Sequence, residues 1–116
     1  MKVDILCEGH VIGHSDLEPV DPPMGVAGGH FVPAPEYVPS IHALVIDGDD
    51  NVSGEYAELS ARSDEYGMLV CAGVYIEDFE ETVQEINVTV LGMAHPEYAS
   101  VFASHALFKA YWGDEA

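Results

Sequence analysis

VDPPMGVAGGHFVPAPEYVP, residues 20–39, holds five of the chain's seven prolines and three of its eleven glycines. As a linker it would divide the chain in two; as a fixed loop it leaves one core. Flexible linkers are polar and Ser-rich, whereas Met24, Val26, Phe31, Val32 and Tyr37 stand among these prolines. Proline narrows the unfolded ensemble of such a segment, and the apolar side chains give it something to bury. A long loop within a compact domain is as a rule functional or disordered, and the apolar anchors argue for order. The reading is an ordered loop over 19–39, with Phe31 and Tyr37 packed on a sheet. It lies within a single domain spanning 1–116, near the usual domain size.

Outward from this stretch the sequence reads as strands. In residues 2–8, Val3, Ile5 and Cys7 alternate with Asp4 and Glu8, the period of a half-buried strand. Gly9 and Gly13 bracket an apolar pair, which suits a bulge or a turn into a second short strand. SIHALVID (40–47) is a strand candidate and GDDN (48–51) a turn. In 55–62, Ala57, Leu59 and Ala61 alternate with Tyr56, Glu58 and Arg62, as in a strand with one wet face. GMLVCAGVYIE (67–77) is apolar almost throughout and reads as a central strand buried on both faces. Residues 78–85 suit a helical turn or a charged hairpin connection. The β-branched run in 85–93, with Ile86, Val88 and Val90 on one side, is a further strand.

HPEYASVFASHALFKAYWGDEA (95–116) predicts one amphipathic helix. Pro96 suits its first position and Gly113 its stop. Tyr98, Val101, Phe102, His105, Phe108 and Trp112 recur on one face, where His105 reads as a core histidine. The expected fold class is α+β: a mostly antiparallel five- to six-stranded sheet with one C-terminal amphipathic helix packed on it.

Three basic residues, Lys2, Arg62 and Lys109, face twenty-one acidic ones, for a net charge of −18. Nucleic-acid binding needs cations that displace counterions from phosphate, so direct contact with DNA, RNA or an anionic membrane surface is excluded. The 48% of hydrophobic residues predicts folding rather than disorder. Cys7 and Cys71 lie in apolar contexts where cysteine acts as a small hydrophobe. The N-terminus has no secretory pattern, and the longest apolar run is about half a membrane span. A cytoplasmic protein without a cofactor is expected.

Specific chemistry is thinly marked. Asp47, Asp49, Asn51 and Glu58 fall at ligand spacings of a calcium loop, but Val52 stands where the sharp turn needs glycine; a hairpin turn is the better reading. His10 and His14, with Glu8 and Asp16 near them, are weak candidates for a transition metal. On a strand the two histidines share a face, yet exposed histidines explain them as well. No nucleophile elbow, C-x-x-C or phosphate loop is present.

The acid clusters remain. Asp47, Asp49, Asp50, Glu55, Tyr56 and Glu58 form one segment; Tyr75, Glu77, Asp78, Phe79, Glu80 and Glu81 form another. Ordinary surfaces mix both signs because like charges repel in the folded state. A meander is expected to bring both segments to one end of the sheet as a face for a basic partner, with the aromatics as anchors. The profile resembles, in physical character rather than in motif, inhibitor proteins that occlude basic nucleases or mimic nucleic acid, as immunity proteins do. It implies capture of a basic macromolecule without catalysis. Two other readings stand beside it: a small metal-dependent enzyme built on His10, His14 and nearby carboxylates, and a phage or assembly component whose acidity serves solubility or a salt-rich solvent.

Overall fold

In the computed structural model, which describes residues 1–50 and 58–112, strands dominate an α+β fold. β1 (Lys2–Cys7) and β2 (His10–Asp16) form a hairpin; β3 (Glu18–Asp21) leads through a 3-10 turn to β4 (Val26–Pro33). A helical turn, α1 (Pro39–His42), precedes β5 (Val45–Ile46) and β6 (Asp49–Asp50). β7 (Leu59–Ser63) and β8 (Gly67–Met68) follow. β9 (Gly73–Phe79) joins β10 (Glu85–Leu91) through α2 (Glu80–Val83), and α3 (Tyr98–Phe102) and α4 (Ala106–Trp112) come last.

Nine strands run in one hydrogen-bonded path, β6-β5-β9-β10-β4-β2-β1-β7-β8, and β3 lies beside β4 off that path. The sheet therefore has more strands than the five or six expected, because segments of two residues at its rims also pair. Neighbours are antiparallel except β5 and β9, which are parallel. The first two tight hairpin turns, Glu8–Gly9 and Asp47–Gly48, have positive φ at both residues, the geometry that matches strand twist in two-residue loops.

β4 corrects the reading of 20–39. The segment is ordered, but its centre is a strand of the sheet rather than a loop docked on it. One edge of β4 pairs with β10 through Ala27–His30; the other pairs with β3 and then with β2. Glycine normally weakens a strand. Here Gly29 lies where the chains press together: a Cβ on it would stand 2.5 Å from the Asp16 carbonyl oxygen. Two residues further along β4, the Phe31 ring rests on Gly13, where an added Cβ would be 2.3 Å from Cζ.

One cluster of buried residues fills the fold, with Ile5, Leu17, Ala27, Ala61, Ile76 and Val90 wholly enclosed. Each large aliphatic side chain so placed contributes about 1.5–3 kcal/mol relative to exposure. β1 and β10 form where alternation predicts them, and the strand expected over 55–62 is β7 from Leu59 onward, with 55–57 outside the described residues; Val3, Ile5, Leu59, Ala61, Val88 and Val90 point inward. A bulge lies between the Ile5 and Leu6 pairings of β1 with β2, and Ile12 at it is buried.

Three expectations are corrected. Residues 67–77 do not make one central strand: β8 ends at Met68, and β9 begins at Gly73 with alternating burial. The 40–47 strand shrinks to Val45–Ile46, since Pro39 opens a helical turn. The C-terminal helix is broken in two, and Pro96 precedes it rather than opening it. At the break His105 Nδ1 accepts the Leu107 N–H at 3.1 Å, the bond a helix-starting side chain makes. Tyr98 and Phe102 are buried as expected, while Val101, His105 and Phe108 are half-buried. No helix among the described residues is long and apolar enough to cross a membrane.

Candidate functional site

Parallel pairing of β5 with β9 brings the two acidic segments side by side. The Asp47 N–H donates to the Asp78 carbonyl at 2.6 Å. Asp47 Oδ1 in turn accepts from the Thr82 N–H at 3.1 Å and the Thr82 hydroxyl at 2.8 Å. These bonds tie the β5–β6 turn to α2, so the connection between β9 and β10 is a helical turn held in place from across the sheet.

Between them opens a cleft of about 560 Å³. Its lining combines Asp47, Asp78, Glu80, Glu81, Gln84 and Glu85 with Phe31, Tyr37, Ile46, Ile86, two prolines and His30. No Lys or Arg is among these lining residues. The chain's cations lie on other elements: Lys2 on β1, Arg62 on β7 and Lys109 on α4.

Asp78 differs from its neighbours. Its side chain is buried, with Oδ1 accepting from the Glu80 N–H at 3.0 Å and Oδ2 from the Tyr37 hydroxyl at 2.7 Å. Two donors satisfy this carboxylate, which otherwise would be costly to bury. Burial, then the bond to Asp78 and its charge, push the Tyr37 phenol far above its ordinary value, so the hydroxyl stays a donor. Tyr37 is itself held from both sides. The Phe31 ring meets it edge-on at 5.0 Å and the His42 ring stacks on it at 5.8 Å. Burial pulls the His42 imidazole below its usual range, and its Nδ1 accepts the Val38 N–H at 2.9 Å.

The structure brings Asp47, Asp78, Glu80 and Glu81 to this cleft and leaves others outside it. Asp49 is exposed on β6, and Asp50 follows it there. Glu55 and Tyr56 lie outside the described residues. Glu58, just before β7, and Tyr75, near the start of β9, line a separate depression with Val70 and Cys71 where β7 packs against β9, and neither is in the cleft lining. Glu77 and Phe79 are half-buried on β9 and absent from the cleft lining. Asp78 is a buried acceptor rather than a surface charge. The cleft's aromatics are Phe31 and Tyr37, which sequence reasoning assigned to packing alone. Their proline-framed spacing was visible; their place opposite 77–86 depends on the β4–β10 pairing.

Of the calcium-loop positions, Asp47 is engaged by Thr82, Glu58 lies in the other depression, and Asn51 falls outside the described residues. His10, His14 and Asp16 are exposed on β2. His10 stands at the hairpin end opposite Cys7, His14 opposite Asp4, and Asp16 accepts from the Met1 amino group at 3.0 Å. Among the described residues, no three His, Cys, Asp or Glu side chains gather as a metal ion would require. Both cysteines are free, Cys7 buried and Cys71 half-buried, and burial raises both thiols. Comparison with family models, with curated proteins and with solved structures found no match to this chain.

Proposed function

We propose that this protein binds a basic macromolecular partner, a basic protein, through the acidic cleft between β5, β9, α2 and β10. The observation that carries the reading is the composition of that cleft: besides the buried Asp78, four carboxylates (Asp47, Glu80, Glu81 and Glu85) share the lining with aromatic and aliphatic side chains, and no Lys or Arg is among the lining residues. Carboxylates of one sign in a concave site focus the field and speed encounter with an opposite charge. Exposed charge alone gives little standing affinity. Tyr37, Ile46 and Ile86, each half-buried, supply apolar surface beside the acids, and Tyr37 is an aromatic anchor of the kind that dominates interface energetics. A long basic side chain fits such a site, laying its methylene stem on that apolar surface and its charge among the acids.

The function is capture, as in inhibitors that occlude a basic protein, and needs no cofactor or catalytic group. The test is affinity capture from the source organism's extract at low and high salt. The same capture is run with Glu80→Lys, Glu81→Lys and Glu85→Lys combined. A basic protein retained by the parent, released by salt and lost from the reversed variant supports the reading. Equal retention by both overturns it.

A further inference from the structure

The outer face of β2, β1 and β7 carries two of the chain's three cations in a repeating order. Register sets His14 opposite Asp4 and Asp4 opposite Arg62, so these three form one row across the strands. One pleat away, Asp16 stands opposite Lys2, and Asp64 follows Ser63 at the end of β7. All six line one shallow depression of about 380 Å³, with Val32 at its margin. Read across the strands, one row is imidazole, acid, base and the other is acid, base, acid.

We infer that this face seats a second copy of the same chain, related by a two-fold axis that runs across the strands between the two rows. A two-fold contact places one patch against itself, so the patch must be self-complementary. Rotation about that axis sets each row over the other row of the partner copy. His14 then faces the other copy's Asp16, Asp4 faces its Lys2, and Arg62 faces its Asp64. Every carboxylate on the face meets a nitrogen base. The acidic cleft fails the same requirement, since its carboxylates would meet carboxylates. With −18 on each chain, two copies can approach closely where their cations lie. Val32 and Met68, each 49% exposed, extend the first row at its two ends through β4 and β8 and provide apolar area at the rim. The face is about 20 Å across in each direction, the small end of specific interfaces, so the dimer is weak and forms at micromolar concentration.

Sedimentation velocity on the intact chain from about 1 to about 200 µM decides the matter. The expected result is a concentration-dependent rise from one-chain to two-chain mass. Arg62→Glu and Lys109→Glu change net charge equally; the first should weaken the dimer at least tenfold and the second leave it. Asp4→Lys and Lys2→Asp should each be monomeric alone, because each sets like charges face to face. Mixed together they should form a dimer, since each introduced charge then meets its opposite. One-chain mass throughout for the parent overturns the inference. So does equal weakening by Arg62→Glu and Lys109→Glu, or a mixture that stays monomeric while both variants melt cooperatively. If Asp4→Lys does not fold, the Arg62 and Lys109 pair still decides.

Discussion

At the β5–β9–β10 end of the sheet, Asp47, Glu80, Glu81 and Glu85 face a cleft with no Lys or Arg in its lining, whereas on the outer face of β2, β1 and β7 acid and base alternate from strand to strand. Both regions belong to one chain of charge −18, yet they call for opposite kinds of partner. A single-sign cleft projects a field and attracts its opposite from a distance. An alternating face cancels its own field on the scale of the strand spacing, about 5 Å, and recognises whatever matches that spacing. Salt should therefore separate them. It should weaken the proposed capture at the cleft, but screen the overall repulsion between two acidic chains and so favour the proposed contact through the alternating face.

Phe31 links the two regions, lining the cleft while its ring lies on Gly13 of β2. Gly13→Ala should consequently have the largest effect on stability, about 1–3 kcal/mol or more from overpacking, seen as a lower urea midpoint. Gly48→Ala is the matched control. Nothing lies within 4 Å of a Cβ there, and the cost is the left-handed backbone alone, about 1 kcal/mol. Equal midpoints for the two variants would show that the Phe31–Gly13 contact yields freely.

Next in size is the buried bond on the acidic side. Tyr37→Phe removes the hydroxyl that donates to Asp78 Oδ2 and leaves a buried carboxylate short of a donor, a loss of about 1–3 kcal/mol. The contrasting change on the alternating face is Arg62→Ala, which removes a half-exposed pair with Asp4 at 3.1 Å. It should cost less than about 1 kcal/mol. If Arg62→Ala proved the more damaging in the same denaturation experiment, the assignment of buried and exposed electrostatics would be reversed.

The smallest expected effect is on pH dependence. Burial lowers the folded-state pKa of His42, so the unfolded chain binds its proton first as pH falls. The stability linked to this residue is present above about 6.5, the unfolded value, and is lost as pH falls toward the lower folded value. His42→Phe should therefore show a smaller drop in melting temperature than the parent between pH 7 and 5. An identical drop would remove His42 from the acid response.

How much of this could be read in the chain follows from the range of each signal. Alternation is local, and β1, β7 and β10 were legible because each buries one face. The 47–50 and 77–85 acids were expected together through a meander; they meet instead through the parallel pairing of β5 with β9, a crossover that local patterning does not show. β4 was not legible, because Gly28 and Gly29 speak against a strand unless the Val88 carbonyl close to the first and the Asp16 backbone pressing on the second are known. The helix break was hidden in the same way: Tyr98, Phe102 and His105 keep helical spacing through it, and the His105 bond to Leu107 appears only in three dimensions. The cleft's acids were legible by composition. Its apolar lining of Phe31, Tyr37 and Ile86 was not, since those residues are brought together by a long-range pairing of β4 with β10.

The central claim is that the cleft's unmixed acidity captures a basic partner. Its most direct test is the association rate of the captured protein with parent and with the Glu80, Glu81, Glu85 reversal, measured by stopped flow across ionic strength. The parent rate should fall steeply as salt rises, and the reversed variant should associate at least ten times more slowly at low salt, with the two converging at high salt. A parent rate indifferent to salt, or equal rates for both proteins at low salt, would contradict it.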